Sequence, residues 1–289
     1  MQTSITQYST NVGTDKTYKI SDIIKENTTI DYGKLKEITD SVIGGRTAIR
    51  RLNPKEEQGR IEGGRIHVET SILLGAIRGA KADLYRGNAQ SNEIAQYEES
   101  ILGIYAIENN LLFNEEQYVE SHNLRTYPRG EESTVYQTKD QKYMIKFMDY
   151  SIFHYTPTEF LDDMTLFNYV FNETAYEMLG FSERNGKFTF IMKQAYIQGL
   201  PIAAKFKGQT PEGKRHIVNY LNSFGFINND ENGTWFCNSR YVIDDLHFNN
   251  VFLGNDNRDY IIDGEVSLNT EEDGIGGTSE YFPFEVVEV

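Results

Sequence analysis

Cysteine is nearly absent: Cys237 is the only one in 289 residues. An intrachain disulfide and a cysteine-built zinc site are therefore excluded, and a reducing, cytoplasmic setting fits. Cations are also in short supply, with 28 Lys and Arg against 43 Asp and Glu, for a formal net charge of -15. A broad nucleic-acid interface needs clustered Lys and Arg, so no nucleic-acid partner is expected. No apolar run approaches the roughly 18 residues of a membrane span. The opening "MQTSITQYST" lacks the basic and apolar parts of a signal peptide. Neither a membrane partner nor export is expected. The five histidines (67, 122, 154, 216 and 247) are scattered, without the i, i+4 pair of a helical metal site.

Aromatic residues are plentiful, at 19 Tyr and 17 Phe, so the chain can build a packed core. Its length suits one large domain or two modest ones. The pattern changes character near residue 115. Before it, residues 33–43, 66–78 and 92–109 carry helical periodicity, with Ile66, Thr70, Leu73, Leu74 and Ile77 on one face. Between the first two lies "EEQGRIEGGRIHVE". Its alternating Arg60, Glu62, Arg65 and Glu69 read as an ion-pair network joining the two halves of the chain.

After residue 115 strands are expected. "STVYQTKDQKYMIKFM" forms two strands about a turn at Lys139-Asp140-Gln141, with Lys146 in the second. In "TPTEFLDDMTLFNYVF", Thr156 caps a helix, Pro157 opens it and Glu159 completes a capping box. "MLGFSERNGKFTFIMKQA" is a hairpin through Asn185-Gly186. "TPEGKRHIVNYLNSFG" is a helix capped by Thr210 and stopped by Gly225, with Ile217, Tyr220, Leu221 and Phe224 as its buried face. Near the end, "VFL" and "YII" flank the turn "GNDN" as a second hairpin.

Carboxylates and carboxamides gather around that last hairpin: Asp244, Asp245, Asn249, Asn250, Asp263 and Glu265. A lysine on a strand, followed at a distance by separated Asp and Asn oxygens, suits a magnesium nucleoside triphosphate. The lysine pairs with phosphates as a point charge, and a hard cation takes oxygen ligands. A further Asp can orient an acceptor hydroxyl and receive its proton.

"DLHFNN", residues 245–250, resembles the kinase catalytic loop D-L-x-x-x-N. Asp263-Gly264-Glu265 resembles the metal-binding D-F-G, and "YMIKF" the V-A-I-K strand. A narrower resemblance is to the kinase-like domain of polyvalent proteins in phages and other mobile elements. It rests on "FLDDMTLFNYVFNETAYEMLGF", "GKFTFIMKQAYI" and "DLHFNNVFL", and on "EEQGRIEGGRIHVE" upstream, and covers roughly residues 55–270. The resemblance implies an α+β, protein-kinase-like bilobal fold with a reduced C-terminal lobe, preceded by a helical N-terminal region. The expected division is 1–115 for the helical region and 116–289 for the kinase-like domain, with lobes at about 116–194 and 195–289.

The resemblance further implies ATP and Mg2+ as cofactors and ATP-dependent protein phosphorylation. Lys146 would hold phosphates and act with Asp245 in catalysis. Asn250 and Asp263 would hold the metal. Gly130 and Ser133 fall in the phosphate-loop position, Met192 just before a connector at 193–199 that would bind adenine through its backbone. The carboxylate partner of Lys146 would be Asp163 or Glu159. Asp244 competes with Asp245 as base, and the spacing to Asn250 selects Asp245. His247 is expected to make a structural hydrogen bond.

The sequence also departs from the kinase pattern. Only Gly130 remains of the glycine-rich loop. Ile243 and Asp244 replace the histidine and arginine of H-R-D. D-F-G has become D-G-E, no A-P-E follows in the 26 residues after Asp263, and no ordinary peptide-binding platform is expected. The N-terminal helices are expected to pack on the shortened lobe and replace what is missing. The alternative to a phosphotransferase is a pseudokinase that holds nucleotide or a partner protein. A small-molecule kinase is the third reading.

Overall fold

The computed structural model describes residues 8–11, 15–18, 23–25, 29–44, 47–51, 58–59, 63–80, 91–127, 133–152, 156–184, 186–269 and 284–288. The chain starts with β1 (Tyr8–Asn11), β2 (Asp15–Tyr18), β3 (Ile24–Lys25), β4 (Thr29–Ile30), α1 (Tyr32–Ile43), β5 (Thr47–Arg51) and β6 (Gln58–Gly59). Then come α2 (Gly64–Ala80), α3 (Ser91–Glu108), β7 (Leu112–Phe113), α4 (Glu115–Ser121), β8 (Arg125–Thr126), β9 (Ser133–Gln137), β10 (Tyr143–Met148) and α5 (Pro157–Val170). The hairpin β11 (Glu177–Arg184) and β12 (Lys187–Ala195) leads to β13 (Gly199–Pro201), α6 (Ile202–Lys205) and α7 (Pro211–Asn222). The remaining strands are β14 (Ile227–Asn228), β15 (Phe236–Cys237), β16 (Tyr241–Asp244), β17 (Val251–Gly254), β18 (Asp259–Ile261), β19 (Glu265–Leu268) and β20 (Phe284–Glu288).

The chain divides into two compact units. Unit 1 comprises residues 1–161, 176–194 and 282–289, and unit 2 comprises 162–175 and 195–281. The change of pattern at residue 115 falls inside unit 1.

Unit 1 is built on a six-stranded sheet in the order β7-β11-β12-β10-β9-β8. β7 runs parallel to β11, pairing Leu112 with Phe181. A register shift between Met178 and Gly180 makes this edge possible. Gly180 has φ +152°, and a Cβ there would lie 2.6 Å from the Leu111 carbonyl oxygen. Only glycine lets the backbones approach so closely.

Residue alternation gives the sheet two distinct faces. Ile145, Phe147 and Ile191 pack with Tyr118 of α4 on one face. Lys146, Phe190 and Met192 therefore project from the other. There Phe160 of α5 stacks on Phe190 at 4.7 Å, and Phe181 meets Tyr105 of α3 edge-on at 6.2 Å. Each fully buried ring of this kind stabilises the unit by about 1.5–3 kcal/mol. The capping box at the start of α5 is formed: Glu159 N donates to Thr156 Oγ1, and Thr156 N to Glu159 Oε2, both at 3.2 Å.

The N-terminal helices pack within unit 1. α2 lies against β11, and Met178 N donates to the Gly63 carbonyl at 3.0 Å. Nearly every side of α2 is buried, including His67, Val68, Ile72, Leu73 and Ile77. α3 contributes Glu98, fully buried, whose carboxylate pairs with Arg78 at 3.3 Å and accepts from Thr158 N at 3.0 Å. A carboxylate at a helix N-terminus satisfies an orphan donor and opposes the helix dipole, so Glu98 ties α2 and α3 to the first turn of α5. Arg65 bonds Asp40 and Glu69, linking α1 to α2. Arg60 and Glu62, the other members of the expected network, lie outside the described residues. The region before residue 115 also holds short strands that periodicity did not signal, among them β5, which pairs with β20 at the other end of the chain.

In unit 2, Thr210 caps α7 by accepting from Gly213 N at 3.1 Å, while Ile217 and Leu221 are fully buried. Phe224 corrects the expected face: it is 57% exposed. It lies past the last helical turn, where the i, i+3, i+4 spacing no longer governs direction, and rims a small cavity with Tyr220 and Tyr260. Two sheets complete the unit, ordered β13-β17-β18 and β14-β15-β16-β19.

Candidate active site

β16 pairs antiparallel with β19, setting Asp244 opposite Glu265 and Ile243 opposite Val266. Between these strands the chain makes the loop 245–250 and the β17–β18 hairpin, in which Val251 pairs with Ile261. The ladder extends one step further, because Ile262 N donates to the Asn250 carbonyl at 2.9 Å. Asn250 and Asp263 are thereby held at the same open end of the hairpin, next to Asp245. Alternate residues anchor the loop: Leu246 and Phe248 are buried, whereas His247 and Asn249 are exposed.

Asp245 has φ +53°, an uncommon conformation for a residue with a side chain. Its N–H donates to Asp244 Oδ1 at 2.8 Å, and its carboxylate meets His247 Nε2 at 2.7 Å. Leu246 N donates to the Thr234 carbonyl at 3.1 Å. Thr234 belongs to a turn tied by Asp230, whose carboxylate accepts from the N–H groups of Asn232, Thr234 and Trp235 at 2.9–3.0 Å. These donors outweigh the cost of burial and hold the Asp230 pKa below the usual range. Asp230 is thus a support that motif reading passed over, although Asn232-Gly233 is a turn signal beside it.

Charge accumulates around this loop. Burial raises the Glu265 carboxyl to about 7, and Asp244, Asp245 and Asp263 add to the rise. Asp245 is also raised, first by burial and then by Asp244 and Asp263, with His247 pulling the other way. Such crowding creates a negative site that a cation would relieve. Gly264 has φ +149°, a conformation that residues with side chains rarely adopt. The loss of the phenylalanine of D-F-G is therefore matched to the backbone.

Lys146 belongs to unit 1 and is only 5% exposed. Its Nζ donates to the Tyr176 hydroxyl at 2.7 Å, and it lies 4.8 Å from the centroid of the same ring. Sequence reading missed this partner, and no local pattern in "NETAYEML" signals it. Met192 is fully buried in β12, and Ser133 is partly buried in β9 opposite Met148. Asp163 is partly buried in α5, while Glu159 is engaged in the capping box. Gly130 lies outside the described residues. The structure gathers Asp245, Asn250 and Asp263 within unit 2, with Asp244 and Glu265 beside them. It places Lys146, Ser133 and Met192 in unit 1.

The donor chemistry fits the expected groups. Asn250 and Asp263 offer hard oxygen atoms from adjacent backbone positions. Among the described residues no group of three or more His, Cys, Asp or Glu forms a ready-made metal cage. Mg2+ does not require one, since it takes one or two carboxylates and completes its shell with phosphates and water. A buried lysine on a rigid strand is likewise suited to a phosphate.

The sheet with its strand lysine, and the hairpin that brings Asn250 beside Asp263, define a kinase-like α+β protein. The family described as "Serine/Threonine/Tyrosine Kinase found in polyvalent proteins" matches residues 95–270, and the chain belongs to it. The match begins within α3 and does not extend to residue 55, so "EEQGRIEGGRIHVE" lies outside it. No curated protein matches the chain. No helix among the described residues is long and apolar enough to cross a membrane.

Proposed function

We propose that the chain is an ATP-dependent phosphotransferase of the protein-kinase type, working with Mg2+. The observation that carries this reading is the loop 245–250: its register delivers Asp245, Asn250 and Asp263 to one end of a hairpin, flanked by carboxylates that repel one another. Asn250 and Asp263 would hold magnesium, which when bound neutralises charge on the phosphates. Lys146 donates to phosphate oxygens. Asp245 orients the acceptor hydroxyl and takes its proton as that oxygen attacks the terminal phosphorus, with ADP leaving. Catalysis of this kind is positioning and charge stabilisation. Ser133, Gly130, Met192 and Asp163 complete the nucleotide site in this reading, in lobes at about 116–194 and 195–289 after a helical region at 1–115. A cytoplasmic setting and a protein acceptor belong to the same proposal.

The second reading is a pseudokinase, favoured by the D-G-E sequence with its glycine-only backbone at Gly264. One experiment separates the two. Purified protein and Asp263→Ala are titrated with MgATP, following thermal stabilisation, ADP release and phosphate on protein by mass spectrometry. Stabilisation and turnover in the wild type, both lost in Asp263→Ala, are expected. Stabilisation without phosphoryl transfer to itself or to any lysate protein would select the pseudokinase. Absence of both effects in the wild type would overturn the nucleotide reading.

A further inference from the structure

Unit 2 contains a cavity of about 200 Å³ that the nucleotide reading does not use. Its lining comes from three places in the chain: Phe171 and Thr174 just after α5, Tyr220 and Phe224 from α7 and the turn that follows, and Tyr260 and Ile261 from β18. Phe171, Thr174 and Ile261 are buried. The rings of Tyr220 and Phe224 meet edge-on at 5.1 Å. The Tyr260 hydroxyl donates to Asp256 Oδ2 at 2.6 Å, and the Arg258 guanidinium lies 5.5 Å from the Tyr260 ring centroid. Phe224 nevertheless stays largely in water. An exposed aromatic on the rim of an aromatic-walled cavity marks a binding surface.

Size selects the occupant. A cavity of about 150 Å³ accepts one benzene ring, whereas drug-sized ligands and cofactors need about 300–1,000 Å³. This cavity is sized for a single side chain, and aromatic anchors seated in pockets carry much of the energy of protein interfaces. Charge selects the anchor's neighbours. Glu173, Asp256 and Asp259 stand close to the cavity walls, against Arg258 and His216. The Tyr220 hydroxyl is pushed up to about 12, first by burial and then by Asp259 and Glu173, with Arg258 opposing. Negative potential thus reaches the cavity wall, in a chain that carries -15 overall. Such a field favours a basic partner.

We propose that this cavity docks a peptide segment of a partner protein through one aromatic side chain with a lysine or arginine beside it. The inference goes beyond the nucleotide reading and holds for a phosphotransferase or a pseudokinase alike.

The test selects peptides from a displayed library of random heptapeptides on the full chain, without nucleotide, so its result is separate from the MgATP titration. Selected peptides are then synthesised, and their Kd is measured by fluorescence polarisation. Phe, Tyr or Trp next to Lys or Arg should be enriched. Phe224→Ala, matched to wild type by circular dichroism and melting temperature, should weaken a selected peptide about tenfold. Phe224→Tyr, which keeps the ring, should restore most of the affinity. Exchanging the peptide's aromatic for Ala should abolish binding, and added salt should weaken it. No enrichment, enrichment of acidic or purely aliphatic peptides, or affinity indifferent to Phe224→Ala overturns the proposal. Binding of N-acetylphenylalanine amide as tight as that of the peptides would make this a small-molecule site instead. Self-association of the chain that Phe224→Ala abolishes would make the occupant a second copy; either result overturns the proposal.

Discussion

Acid should loosen unit 1 through His67. The imidazole is fully buried in α2, where its ring meets the backbone carbonyl of Leu161 in α5. Burial lowers its pKa from 6.5 to about 4, the hydrogen bond opposing that shift only in part. The folded state thus keeps His67 neutral over a range where the unfolded chain protonates it. Below the unfolded pKa the unfolded state binds the extra proton, so stability falls as pH drops from 6.5 toward 4 and then levels off. A shift of this size is worth about 3 kcal/mol, a large part of the 5–15 kcal/mol typical of a domain.

The perturbation that isolates the effect is His67→Gln, which retains an amide donor for the Leu161 carbonyl but cannot titrate. Urea unfolding of both proteins is followed by far-ultraviolet circular dichroism at intervals from pH 7 to 4.5, with amide exchange of α2 as a local check. At pH 7 the variant should be the less stable, because glutamine packs less rigidly than imidazole. The gap should close by about 2–3 kcal/mol on acidification. Paired carboxylates do not confuse the result, since they lose stability mainly below their own unfolded pKa values near 4 and are shared by both proteins. A wild type–variant difference that stays constant with pH would refute the reasoning and place His67 in contact with water.

Glu265→Gln should act with the opposite sign. The carboxyl pKa of about 7 against 4.5 means that its stabilising proton is lost as pH rises through 7, so the variant should gain about 1 kcal/mol on wild type at pH 8 after allowing for partial exposure. Trp235, the only tryptophan, reports this by fluorescence in urea. Gly264→Phe, which returns a phenylalanine to the second position of the motif, should lower the melting temperature by forcing a side chain to φ +149°, at a cost of about 1–3 kcal/mol. Unchanged melting would show that the backbone relaxes freely. Asp230→Ala removes one acceptor from three backbone N–H groups and should cost about 2–3 kcal/mol by urea midpoint. Asp230→Asn should recover part of that loss.

What the sequence conveys about this chain depends on how far apart the cooperating residues lie. Helix ends were legible because capping is settled within four residues: Thr156 with Glu159, and Thr210 with Gly213. The same rule extends to α4, where Asn114 accepts from Gln117 N at 3.1 Å; the Asn-x-x-Gln signal is present but was masked by the strands around it. The β17–β18 hairpin followed from its turn, and with it the meeting of Asn250 and the residue before Asp263. β5 was not legible, because its partner β20 comes from the far end of the chain. Nor was Tyr176, thirty positions beyond Lys146, with nothing in its neighbours to mark it. A family motif carries over the geometry that is written locally, such as the loop 245–250 with Asn250 next to the end of the hairpin. It does not carry over the buried groups that surround those residues, because each chain solves that packing with its own side chains. Here the support residues are Asp230 beneath the loop, Glu98 at the start of α5, and Tyr176 against the lysine. None of those three belongs to the motif.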